Sequence, residues 1–245
     1  MLRDIDGGNL SYSVTRPSRF SFARIAALAL LAAFPFVFCG CRGKKDPNEA
    51  HVQLINALPS RSWVSLQVNG KTVVRRSKFG DGTGFMGIKS GRYRYAVADE
   101  REAILSGEWE TQPRERYSVV IAPGYSARKP AQAVFVPLLD SPRDRVRLTF
   151  VQAVGMRAGV DLLMNNIVAI PSAKLGGETR SMLLIPGNYE LKANPAGNPR
   201  FSYAEASLRA EPGKSYVVLL SGGVNEGASG RTNDDPVALR VYEVK

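Results

Sequence analysis

Histidine and cysteine are nearly absent from this chain, and that limits its chemistry. Of 245 residues one is a histidine, His51, and two are cysteines, Cys39 and Cys41. Once both cysteines are assigned to targeting, as argued below, no His/Cys zinc set remains, because such sites need three or four of these ligands. A Ser-His-Asp triad also needs its histidine fixed between two partners, whereas His51 opens a strand-like run and reads as an exposed edge residue. The carboxylate pairs Asp99-Glu100 and Asp234-Asp235 are adjacent in turn-rich stretches, where carboxylates are solvated. Asn233-Asp234-Asp235 lacks the ligand spacing of a calcium loop. Gly80-Asp81-Gly82-Thr83-Gly84 and Gly222-Gly223 lack the lysine and helix start of a phosphate loop. No acid–base constellation emerges, so the expectation is a non-enzymatic protein with no catalytic residue, no metal and no cofactor.

Binding chemistry has more material. Basic residues cluster at Arg75-Arg76-Ser77-Lys78, Arg92/Arg94, Arg114/Arg116, Arg128-Lys129 and Arg143/Arg145/Arg147. Arg92 and Arg94 fall two apart on a strand, hence on one face, a stripe able to attract an anionic glycan or membrane. A solvated basic surface is the plainer alternative. Of the two tryptophans, Trp109 lies between Glu108 and Glu110, so alternation turns it inward. Trp63 begins a strand and is a candidate platform for stacking on a sugar. Trp63, Arg92 and Arg94 are therefore the candidate ligand-binding residues.

The N-terminus reads as an export signal. Arg24 precedes an uncharged apolar run from Ile25 to Phe38, with Arg16 and Arg19 upstream. Fourteen residues interrupted by Pro35 fall short of the ~20 that span a bilayer, while basic flank, short apolar core and small residue fit a secretory signal. The run ends Phe38-Cys39-Gly40-Cys41, which resembles a bacterial lipoprotein signal with Cys41 as the lipid-attachment residue. That resemblance implies residues 1–40 as signal peptide, a membrane partner through Cys41, and a cell-envelope location with the outer membrane favoured, Arg42 standing where Asp would retain the protein at the inner membrane. An uncut anchor is the other reading; a Cys39–Cys41 disulfide across one residue is strained. Residues 41–49 are polar and form a short tether. Removing residues 1–40 takes four basic and two acidic residues from totals of 33 and 22, leaving 29 against 20, net +9. Export makes nucleic acid an unsuitable partner.

The elements that position these residues come in two copies. Residues 52–97 align without a gap on 148–193, with eleven identities in 46 pairs, among them Ala57/Ala153, Arg61/Arg157, Asn69/Asn165, Gly80/Gly176 and Tyr93/Tyr189. Chance gives roughly three at ordinary residue frequencies. Pro113 and Tyr117 continue the match to Pro212 and Tyr216 at an offset of 99. The period is that of a whole small domain. Val64, Leu66 and Val68 alternate with polar residues, Asn69-Gly70 then signals a two-residue hairpin, and Asn165-Asn166 repeats it. Pro186-Gly187 suits the centre of a type II turn. Tyr93, Tyr95 and Val97 face inward, as do Tyr189, Leu191 and Ala193. Short strands, frequent turns and no sustained helical period predict an all-β protein: two tandem Ig-like or transthyretin-like antiparallel β-sandwich domains. They occupy residues 50–139 and 146–245, joined by the charged linker 140–145.

The strand Val-Asp-Leu-Leu-Met-Asn-Asn (160–166), the Lys-Leu-Gly-Gly segment (174–177), Pro-Gly-Asn-Tyr-Glu-Leu (186–191) and Glu-Pro-Gly-Lys-Ser-Tyr-Val-Val (211–218) resemble the bacterial family called domain of unknown function 4397 (DUF4397). Val-Ser-Leu-Gln-Val-Asn-Gly (64–70) and Ser-Gly-Arg-Tyr-Arg-Tyr (90–95) carry the same resemblance in the first copy. It implies exported β-sandwich domains and no reaction. The function expected is a lipid-anchored structural or interaction module of the envelope, its partner an envelope protein or an anionic glycan; a carbohydrate-binding module is the alternative.

Overall fold

Sixteen strands form among the described residues, some with alternating apolar and polar residues and some with continuous apolar runs. The computed structural model describes residues 46–59, 61–126, 129–156, 158–176, 179–223 and 236–244; Cys41, the apolar run 25–38 and Asn233–Asp235 lie outside them. The first repeat holds β1 (Glu49–Asn56), β2 (Trp63–Val68), β3 (Lys71–Lys78), β4 (Met86–Lys89), β5 (Gly91–Ala98), β6 (Ala103–Thr111), β7 (Arg116–Ser126) and β8 (Lys129–Leu138). The second holds β9 (Val146–Gln152), β10 (Val160–Met164), β11 (Ile167–Ala173), β12 (Arg180–Leu184), β13 (Gly187–Pro195), β14 (Ala204–Ala210), β15 (Ser215–Ser221) and β16 (Ala238–Val244).

Each repeat makes two four-stranded sheets, β3-β2-β5-β6 and β4-β1-β7-β8 in the first, β11-β10-β13-β14 and β12-β9-β15-β16 in the second. Adding eight to each strand number of the first pair gives the second, so the two copies share one topology. The pairings are antiparallel except β1 with β7 and β9 with β15, which are parallel. An immunoglobulin sandwich keeps its first two strands in one sheet; here they lie in different sheets, and the order follows the transthyretin-like half of the expectation.

The repeated residues hold equivalent backbone features. Asn69 and Gly70 take φ of 47° and 75°, Asn165 and Asn166 of 50° and 65°. The Asn69 side-chain oxygen accepts from the Arg94 N–H at 3.0 Å and that of Asn165 from the Glu190 N–H at 2.9 Å. Tyr189 donates its hydroxyl to the Ile185 carbonyl at 2.6 Å, as Tyr93 does to Lys89. Both copies also bulge at one place, where Arg76 and Ser172 have φ of 52° and 48°. Ser65 caps the Arg76 N–H at 3.3 Å, and Asp161 caps that of Ser172 at 2.7 Å. One detail differs from expectation. Gly187 lacks the positive φ that a type II turn requires, and Gly91, at 142°, is far from it; these glycines open β13 and β5 rather than complete a tight turn.

The inner sheets are covered on both faces. Val119 and Ile121 enter the core of the first sandwich, Tyr216, Val218 and Leu220 that of the second. The intervening Val120, Ala122, Val217 and Leu219 join a third cluster with Ile55, Ala57, Val136, Leu138, Val151, Ala153, Leu175 and Val244. The sandwiches therefore share a core, and the described residues, from Asp46 to Val244, belong to one compact unit. Double burial explains the continuous apolar runs of β7 and β15. The cluster draws on equivalent positions, Ile55 with Val151 and Ala57 with Ala153, so the contact is close to self-complementary.

Candidate functional site

Two turns and a bulge at the end of β1 remote from Glu49 build a polar recess around Trp63. Asn56, the last residue of β1, donates its side-chain N–H to the carbonyls of Arg61 and Ser77, both at 3.2 Å, and accepts from the Leu58 N–H at 3.0 Å. This fixes the turn that delivers Arg61, Ser62 and Trp63. The next turn closes on Asp99, whose Oδ1 accepts from the N–H groups of Arg101 at 2.8 Å and Glu102 at 2.9 Å. Those backbone hydrogen bonds, aided by the neighbouring Arg61 guanidinium, hold the Asp99 carboxyl below its ordinary pKa. Arg61 bonds Asp99 through one nitrogen and Glu102 Oε1 at 3.0 Å through the other.

The bulge supplies the last part. Its positive φ turns Arg76 so that the guanidinium carbon lies 5.0 Å from the centroid of the Trp63 ring, with a nitrogen 3.5 Å from Glu100 Oε1. Such a cation–π contact at a half-exposed ring contributes about 0.5–1 kcal/mol. Arg61, Ser62, Trp63, Asp99, Glu100 and Arg101 line a recess of about 190 Å³, below the ~300–1,000 Å³ usual for small-molecule sites. Arg61 with Asp99 and Glu102, and Arg76 with Glu100, form ion pairs around one aromatic face. That suits weak polar recognition. In the second copy Gly159 and Ser172 replace Trp63 and Arg76; a Cβ on Gly159 would lie 2.5 Å from the Ser172 Oγ and 3.1 Å from its Cα, so that copy leaves no room there for a side chain.

Arg92 and Arg94 sit on the exposed face of β5, as alternation predicts, but β6 compensates them. Arg92 bonds Glu108, Arg94 approaches the same carboxylate at 4.0 Å, and Glu110 lies opposite Arg92 in the ladder. The stripe is a mixed-charge face, apart from the recess. Trp109 is buried, its ring stacked on Phe135 at 4.7 Å and edge-on to Tyr117 at 5.1 Å. His51 lies on β1 with Nε2 3.9 Å from Glu49 Oε2, beside a shallow hollow lined also by Asp46, Arg114, Arg116 and Asp140. Among the described residues no group of three His, Cys, Asp or Glu is arranged to hold a metal ion.

Sequence reading missed Arg76 as the partner of Trp63 and Asp99 as the hub of its turn. The bulge that aims Arg76 leaves no pattern in the residues. Asp99 followed two and three residues on by its N–H donors is an Asx-type turn, a signal that was present.

No curated protein matches this chain. A solved structure from Parabacteroides distasonis ATCC 8503, described as a candidate cell adhesion protein, is similar over 79% of this chain and 98% of that one, at 7% identity and a TM-score of 0.24; a score that low carries no structural argument. Residues 50–158, from β1 through the first sandwich and past β9, match the family described as domain of unknown function (DUF4397).

Proposed function

We propose that this chain is a non-catalytic, lipid-anchored module of the bacterial envelope, and that its second sandwich is another copy of the matched domain. Cys41 is the lipid-attachment residue in this reading, residues 1–40 are the export signal, and the outer membrane is the favoured location. The observation that carries the reading is positional. Asp46 stands at one end of β1, five residues after Cys41, and the Trp63 recess lies beyond the other end, about 25 Å away for eight strand residues. An anchor at Cys41 would hold the first end to the bilayer and present the recess to the envelope space. The shared cluster supports a stiff body rather than two beads on a string, as a spacer or interaction scaffold requires. The shared topology and the paired turn and bulge contacts support the second copy.

The glycan-binding alternative rests on Trp63. A half-exposed indole beside Arg61, Asp99 and Arg101 has the makings of a sugar platform, but Arg76 already covers part of the ring. Fractionation of cells expressing the full chain tests the main reading. The protein should partition with membranes and carry a diacylglycerol mass at Cys41, and Cys41→Ala should release it. Retention of Cys41→Ala in the membrane would sink it. Binding of envelope glycans that Trp63→Ala abolishes at unchanged stability would favour the alternative.

A further inference from the structure

The end of the molecule where the described chain begins bears aliphatic side chains that its own cores leave bare. Ile185 is 64% exposed, Leu139 53% and Leu183 48%. Alternation along β12 sends Met182 and Leu184 into the second core, so Leu183 and the following Ile185 project from the opposite face, beyond the cover of the shared cluster. In the first copy the equivalent positions are Gly87 and Lys89, so the shared fold does not require the aliphatics.

Arginines interleave with them. Leu183 stands opposite Arg147 in the ladder, and Arg147 opposite Ser215. Ser215 donates its hydroxyl to the Leu139 carbonyl at 3.1 Å, and Arg147 donates its Nε–H to the Asp140 carbonyl at 3.1 Å. Leu139 and Leu183 thus flank Arg147, within about two interstrand spacings of ~4.8 Å. Arg143 and Arg145 are exposed in the adjoining linker. Two of the nearby acids are engaged by arginines, Asp140 by Arg116 and Asp144 by Arg145 at 3.6 Å, and Asp46 accepts from the Asn48 N–H at 2.9 Å.

Asp46 and Asp140 line the same hollow, so the tether leaves beside this surface. Five peptide links from Cys41 to Asp46 span at most about 18 Å. We propose that this end is a seat for an anionic bilayer: Leu139, Leu183 and Ile185 enter the headgroup layer while Arg143, Arg145 and Arg147 meet its phosphates. The inference rests on the reading of Cys41 as the anchor. It adds an orientation, with β1 standing away from the membrane and the Trp63 recess outermost.

The test uses residues 42–245, which contain the compact unit and no cysteine, held by an N-terminal histidine tag on nickel-chelating vesicles rich in phosphatidylglycerol. A fluorophore is placed by Ile185→Cys, or by Glu100→Cys at the recess end, and quenched with brominated lipid. Quenching at 185 should exceed that at 100 by about threefold or more, and Arg143→Glu with Arg145→Glu should remove most of the excess, since each basic residue near an anionic surface adds to the attraction. Equal quenching at both positions, or an excess indifferent to charge reversal, overturns the seat. The anchor is read separately from the mass of Cys41 in the full chain. A lipid-free Cys41 with quenching retained would remove the anchor and keep the seat; the reverse would remove the seat alone.

Discussion

At the scale of single residues, the identities between the copies mark places where backbone geometry allows little choice. Gly80 and Gly176 take φ of 77° and 59°, and each touches the other sandwich. A Cβ at Gly80 would lie 2.8 Å from Arg240 Nε, and one at Gly176 2.5 Å from Gln132 Oε1. The left-handed conformation alone costs an alanine roughly 1–2 kcal/mol, and the crowding falls on side chains that can swing aside. Gly80→Ala and Gly176→Ala should therefore each lower the stability of the whole unit by about that amount in urea titrations. A change below ~0.3 kcal/mol in either would mean that the turn relaxes to another conformation. The glycines were legible as shared residues in the sequence. Their contact with the opposite copy was not, because nothing in residues 79–82 names Arg240 or Tyr242 as neighbours.

Among the elements, the strands with one wet face were the most legible. β2 and the Asn69-Gly70 hairpin could be placed because alternation and positive-φ turn residues are local signals. β7 and β15 were legible as strands, but a run such as Tyr216–Leu220 does not disclose which of its faces meets which partner. The β2–β3 and β10–β11 bulges were invisible for a related reason, since their caps are a serine in one copy and an aspartate in the other. Leu219 tests the assignment of faces. It lies in the shared cluster and not in the core of its own sandwich, yet it is fully buried. Leu219→Ala should cost about 2–5 kcal/mol, the range for a buried leucine that leaves a cavity. A cost near that of a surface substitution, below ~0.5 kcal/mol, would show that the sandwiches separate in solution.

The whole molecule is governed by that contact, which ties the two copies into one thermodynamic body. Tyr242 of β16 donates its hydroxyl to the Gly80 carbonyl of the other sandwich at 2.8 Å, and Arg240 lies over the Phe79 ring at 5.0 Å. Burial pushes the Tyr242 phenol up to about 12, with nearby Asp81 adding to the rise and Arg240 opposing it. The neutral phenol is thus the form that the folded state favours. Below the ordinary value of 10.0 both folded and unfolded chains hold the proton, and the contribution to stability is intact. Between 10 and about 12 the unfolded chain ionises first, so stability falls with rising pH through that window; above it both states are ionised and no further loss accrues. Calorimetry in neutral buffer should show one transition for both sandwiches, because a shared core couples their unfolding. As the pH rises through the window, that transition should move down for the wild type by more than for Tyr242→Phe. The variant itself should be about 1 kcal/mol less stable at neutral pH for the lost hydrogen bond. Two resolved transitions in neutral buffer would show that the copies fold as separate domains and that the body is a jointed one; an alkaline shift unchanged by Tyr242→Phe would show that the phenol does not hold this contact in solution.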